Sequence, residues 1–116
     1  MVDAQAPTIE LYDDTYYEIP MALDADWRHR GNYIMTRHGV APEEANDAPA
    51  DPDAITFTPD PASVSGRSVR VIGRATSTSR LLTVIVLDDG GVRHGVNSWP
   101  ANSTDKRRYL TGGDTP

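Results

Sequence analysis

The sequence predicts an α+β fold: a small antiparallel sheet of three to five strands, with two helices before its main part and one after it. Three observations lead there. Residues 67–99 hold the only long apolar run and most of the β-branched side chains, cut by turn residues into short alternating segments. Upstream, residues 22–47 space their apolar side chains as helices do. Downstream, a polar segment that Ser103 or Thr104 can cap runs through Leu110 and meets Gly112-Gly113, a helix with its stop signal.

The elements follow in order. Residues 1–7 read as a flexible tail, and Thr8–Tyr12 alternates weakly as a first strand broken by Asp13-Asp14. A helix is expected over Ala22–Arg37, with Leu23, Trp27, Ile34 and Arg37 on one face and Gly31 weakening its middle. Gly39 suits the position just past that helix. Pro42-Glu43-Glu44 places proline and acids in a first turn, which opens a second, short helix. Residues 46–63 look loop-like, because five of the nine prolines fall in 42–61. Within them Ile55–Thr58 is a possible edge strand that Pro59 ends.

The central strands are clearer. Val69–Ala75 turns Val69, Val71, Gly73 and Ala75 one way and Arg70, Ile72 and Arg74 the other. Thr76–Ser79 is a polar turn. Leu81–Leu87 is apolar on both faces, as a covered central strand must be. Asp88–Gly91 is a hairpin turn. Val92–Trp99 places Arg93, Gly95, Asn97 and Trp99 on one face and Val92, His94, Val96 and Ser98 on the other, and Pro100 ends it. The order is β-α-α-β-β-β-α, with 111–116 as a second tail.

A chain of 116 residues makes one domain, so 1–116 is a single unit. The absence of cysteine excludes disulfides, thiolate metal sites and a cysteine nucleophile. The N-terminal residues lack the basic and apolar regions of a signal peptide, and Leu81–Leu87 is too short to span a bilayer. A soluble cytoplasmic protein is therefore expected. The net charge of -6 hides an asymmetry. Residues 1–62 carry 13 Asp and Glu against 3 Arg, a balance of -10, whereas 63–116 carry 8 Lys and Arg against 4 Asp, a balance of +4. A basic half can steer a polyanion even when the whole chain is acidic.

No phosphate-binding glycine loop, HExxH or GxSxG occurs. Arg70 and Arg74 share a strand face. Arginines there commonly just cover a sheet, but guanidinium forks also match phosphate oxygens, so the pair is a candidate phosphate site. His38 stands near a helix end, where a cation is a natural cap; as a functional group it would be a general acid or base. His29, His38 and His94 are scattered, and no metal site is expected. Trp99 suits core packing, a partner contact or stacking on a base. Lys106, Arg107, Arg108 and Tyr109 form the polar face of the last helix, which also suits RNA or a partner.

These residues resemble the BrnT-type toxins of bacterial type II toxin–antitoxin pairs, ribonucleases of RelE-like fold. Trp27 is followed by RHGVAPEEA (Arg37 to Ala45) and Asp51-Pro52; then come SVRVIGRA (Ser68 to Ala75), LLTVIVL, VNSW (Val96 to Trp99) and DKRRY (Asp105 to Tyr109). The match covers about residues 27–110, and its weight lies in the ordered set. His94 and Trp99 stand where the family usually has arginine, and Pro100 replaces another basic residue. The resemblance implies a metal-independent endoribonuclease in which an RNA 2′-OH attacks the adjacent phosphate, needing a base, a cation and an acid. On that basis Arg70 and Arg74 are expected to stabilise the phosphate, and His38 or His94 to act as acid or base. Lys106, Arg107, Tyr109 and Trp99 rank second, as RNA contacts. No cofactor is implied. The implied partners are RNA and a cognate antitoxin, with the possibility of a higher-order assembly. The rival expectation is a catalytically inactive partner-binding module of the same fold, motivated by the acidic first half and the missing arginines. An antitoxin is disfavoured, since no ribbon-helix-helix or helix-turn-helix pattern is present.

Overall fold

The apolar run at the centre of the sequence becomes the middle of a four-stranded antiparallel sheet. In the computed structural model, which describes residues 24–113, β1 (Ile55–Phe57), β2 (Ser68–Arg74), β3 (Leu81–Asp89) and β4 (Val92–Pro100) pair in sequence order. Helices α1 (Gly31–His38) and α2 (Pro42–Asp47), with a 3₁₀ turn at Ala48–Ala50, precede the sheet, and α3 (Ser103–Leu110) follows it. The architecture is α+β, as expected. The strand expected at Thr8–Tyr12 and the tail at 1–7 lie outside the described residues. Of the C-terminal tail, Thr111–Gly113 forms a turn in which Gly113 N–H donates to the Arg108 carbonyl at 2.8 Å. Among the described residues no helix is long and apolar enough to cross a membrane.

The register explains the core. Val69 pairs with Val86 and Val71 with Val84, so these side chains share one sheet face. They pack with Trp27, Ile34, Val40, Ala45 and Ala48 from the N-terminal layer. Each buried Val or Ile side chain among them contributes about 1.5–3 kcal/mol of hydrophobic stabilisation. Gly73 is required there: a Cβ would stand 2.1 Å from the Ala48 carbonyl oxygen. The 3₁₀ turn therefore lies directly on β2, and it gives structure to a segment that the prolines marked only as loop. On the other face Ile72, Thr83 and Ile85 are buried together with Asp105 of α3.

Two expectations need correction. The helix expected over Ala22–Arg37 begins only at Gly31. Of the described residues before it, Asp26 bridges to His94 and Arg28–Arg30 form a turn instead. Asp26 N–H donates to the Arg93 carbonyl and Gly95 N–H to the Asp26 carbonyl, both at 2.8 Å. Asn46 accepts from Ala25 N–H at 2.9 Å and from the Trp27 indole at 3.0 Å. These long-range bonds outweigh a local helical preference. Gly39 closes α1 at φ 67°, as its sequence position suggested. The second correction concerns β4. A bulge shifts the register between Ile85↔Asn97 and Val86↔Gly95, leaving Val96 unpaired. Alternation breaks there, so His94 shares the α3 face with Asn97 and Trp99. Gly95 turns to the Trp27 face with Ser98. A Cβ on Gly95 would come within 2.2 Å of the Trp27 ring, so glycine alone permits that packing.

Candidate functional site

Where β2 and β4 end beside α3, the chain encloses an open groove of about 400 Å³. Its floor is apolar: Leu81, Pro100 and Ala101, with Leu110 at the rim. Its walls carry Arg74, Arg80, Lys106 and Tyr109. The sequence explains the meeting. Arg74 and Leu81 are cross-strand partners flanking the tight Thr76–Ser79 turn, and Lys106 and Tyr109 are three apart on α3, hence on one helix face. Asn102, not Ser103 or Thr104 as expected, caps α3: it accepts from Asp105 N–H at 2.9 Å and leaves Ser103 inside the first turn.

The wall residues differ in how far they are committed. Arg74 donates through Nη1 to the Ser79 carbonyl at 2.9 Å, and its guanidinium lies 5.7 Å from the Tyr109 ring centroid. Tyr109 donates its hydroxyl to Asp51 Oδ2 at 2.7 Å, and Arg74 N–H donates to the same oxygen at 2.8 Å. Burial alone would push the Asp51 carboxyl up, but the Tyr109 hydroxyl and the Asp53 and Arg74 amides hold it below its usual value. Tyr109 is pushed above the usual phenol range, first by that hydrogen bond. Lys106 is exposed and makes no ion pair among the described residues.

Arg80 is a site residue that the sequence reading did not single out. It grips Glu44 through Nε (2.8 Å) and Nη2 (2.7 Å), and donates to the Gly39 carbonyl at 2.8 Å. Glu44 also accepts from the Thr78 hydroxyl. The Arg80 hydrogen bonds, more than any other contact, hold the Glu44 carboxyl below its ordinary value. The groove wall is thereby tied to the residue following His38.

His38 is the last residue of α1, and its ring centroid lies 6.0 Å from that of Trp99 and 5.9 Å from that of Tyr33. Trp99 in turn lies 5.8 Å from the Arg70 guanidinium. His38, Trp99 and Arg70 thus come together. Arg70, however, is buried and engaged: Nε donates to Asp60 Oδ1 and Nη1 to Asp105 Oδ2, each at 2.7 Å. Asp105, fully buried, also accepts from Thr83 Oγ1 at 2.6 Å and from Arg108 Nη1 at 2.9 Å.

The structure does not unite the other expected pairs. Arg70 and Arg74 pair with Ile85 and Leu81, four residues apart on β3, which is roughly 13 Å of strand. Their guanidiniums serve different neighbours, one between carboxylates and one beside Tyr109. His94 pairs with Leu87 and Trp99 with Thr83, again four residues apart. His94 therefore sits toward the hairpin end, away from His38. Arg107 is exposed on α3 and does not line the groove. A larger hollow of about 530 Å³ near the hairpin is lined by Asp24, Asp26 and Asp88, with Arg93 as its cation. Arg93 is paired to Asp88 at 2.7 Å, so that hollow repels a polyanion.

Arg80 carried a signal only in hindsight, as the last cation before the apolar run; its partners lie 36 and 41 residues away. No family model matches the chain, and no curated protein matches it.

Proposed function

We propose that the chain is a toxin of a bacterial type II toxin–antitoxin pair, a BrnT-like, RelE-like metal-independent endoribonuclease that works in the cytoplasm. The observation that carries this reading is the cation-walled groove lying next to the His38–Trp99 pair. Arg74 and Lys106 supply positive charge where a phosphate can reach it, and Trp99 supplies a stacking surface. His38 is the assigned base: it takes the 2′-OH proton as that oxygen attacks the phosphorus, the P–O5′ bond breaks to leave a 2′,3′-cyclic phosphate, and the departing 5′-oxygen takes a proton from water. Arg74 and Lys106 offset charge on the phosphorane. Arg70 moves from phosphate ligand to positioning residue, since its donors are spent on Asp60 and Asp105. His94 and Arg107 have no assigned step, and the antitoxin's place is to cover the groove.

The test uses purified protein and RNA in EDTA. Cleavage is expected for the native chain, and a loss of roughly a hundredfold or more for His38→Ala, the size typical of a general base. Full activity in His38→Ala removes that assignment. Absence of both cleavage and growth arrest on expression favours the rival, a partner-binding module of the same fold. One observation favours that rival: the cation expected at the centre of the reaction is locked in buried ion pairs.

A further inference from the structure

We propose that the groove at the end of β2 and β4 is a subsite for a single nucleotide of single-stranded RNA. Its phosphate would lie on Arg74 and Lys106, and its base on the floor of Leu81, Pro100 and Ala101 beside Tyr109. This rests on the RNA reading above and names what that site holds next to the bond that is cut.

The chemistry of the lining selects this occupant. Inorganic phosphate has no use for an apolar floor, and an apolar ligand has none for the cations; a nucleotide uses both. A volume of about 400 Å³ falls in the range of roughly 300–1,000 Å³ in which proteins hold small ligands. Arg74 donates one N–H to the Ser79 carbonyl and borders the Tyr109 hydroxyl, and its guanidinium has further donors to offer a phosphate. Glu44 and Asp51 lie at the margin but do not line the groove. The first is gripped by Arg80 and the second accepts from Tyr109. Both carboxylates are thus turned to protein donors rather than to the space an anion would fill. The bond between Tyr109 and Asp51 also fixes the ring, so the base meets a preset wall. Trp99 directly precedes Pro100 in β4, which offers the adjoining base a second stacking surface toward His38.

The experiment is an amide NMR titration of the full chain with adenosine 5′-monophosphate, adenosine and inorganic phosphate. The monophosphate should produce saturable shifts at Leu81, Ala101 and Lys106. Both fragments should bind more weakly by roughly tenfold or more, as should the monophosphate to the Arg74→Ala/Lys106→Ala variant. Both side chains are exposed, so the variant keeps its fold. Phosphate binding as tightly as the nucleotide, an acidic peptide competing equally at the same amides, or no saturable shift overturns the subsite. Cleavage of RNA by a chain that binds no mononucleotide overturns the subsite alone. Mononucleotide binding in the groove by a chain that neither binds nor cleaves RNA keeps the site and overturns the RNA reading.

Discussion

Arg70 and Arg74 look alike in the sequence, and burial separates them. Arg70 is 9% exposed and lies between two buried carboxylates, whereas Arg74 is exposed. A buried charge deprived of its partner is strongly destabilising, so Arg70→Ala should cost about 3–5 kcal/mol, read by urea unfolding. Arg70→Lys keeps the charge but not the fork that reaches both Asp60 and Asp105, and should fall between. Arg74→Ala should stay within about 0.5 kcal/mol of the native stability. Arg70→Ala as stable as the native chain would mean that the ion pairs are not what hold α3 on the sheet. The same contrast governs assays of the proposed RNA reading: an Arg70 variant that lost cleavage would report folding, whereas Arg74 and Lys106 variants would test phosphate binding.

Among elements, α2 is tied to the 75–80 turn by Asp47, which accepts from Ser77 N–H at 2.8 Å and from the Thr76 hydroxyl at 3.0 Å, and by the Glu44–Arg80 ion pair, through which the turn also reaches the end of α1. The Glu44 carboxyl is held below its ordinary value, chiefly by the Arg80 hydrogen bonds. A lowered folded-state pKa contributes stability that is fully present above the unfolded value and lost as pH falls through the folded one. The native chain should therefore lose stability below about pH 4.5, and part of that acid sensitivity should vanish in Glu44→Gln. Thermal melts at pH 6 and pH 3.5 measure it; an unchanged difference between the two pH values in the variant rejects the tie as a contributor. Because Arg80 also donates to the Gly39 carbonyl, the same variant should broaden or shift the His38 ring resonances.

For the whole molecule, the two hollows differ in charge, and the division does not follow the halves of the sequence: Asp88 of the basic half lines the acidic hollow, and Glu44 and Asp51 of the acidic half border the cationic groove. Asp24, Asp26 and Asp88 gather at the hairpin end, and Arg74, Arg80 and Lys106 at the opposite end of the sheet. A polyanion is steered to one end and repelled from the other. Binding of single-stranded RNA should weaken linearly in log–log with salt, by about 0.7 per phosphate contacted. Removing Lys106 should flatten that slope by about the same amount. A slope that does not change places the RNA elsewhere on the surface.

The sequence by itself determined the strands, because alternation, apolar runs and turn residues act over a few neighbours. β2, the Leu81–Leu87 part of β3, the Asp88–Gly91 turn, the glycine end of α1 and the end of α3 at Leu110 were all legible that way. It also marked His38, Trp99, Arg74, Lys106 and Tyr109 as candidates, because few other side chains offer their chemistry. Tertiary structure alone decided the rest. The start of the expected helix gave way to a bridged segment and a turn because Asn46 and β4 supply that segment's hydrogen bonds from far along the chain. The bulge at Val96 reassigned the faces of β4, and no local period announces a bulge. Arg70 became a buried clamp and Arg80 a groove wall because their carboxylate partners lie 10 to 36 residues away. A charged side chain reads the same in sequence whether its partner is a phosphate, a carboxylate or water, and only the packing around it chooses.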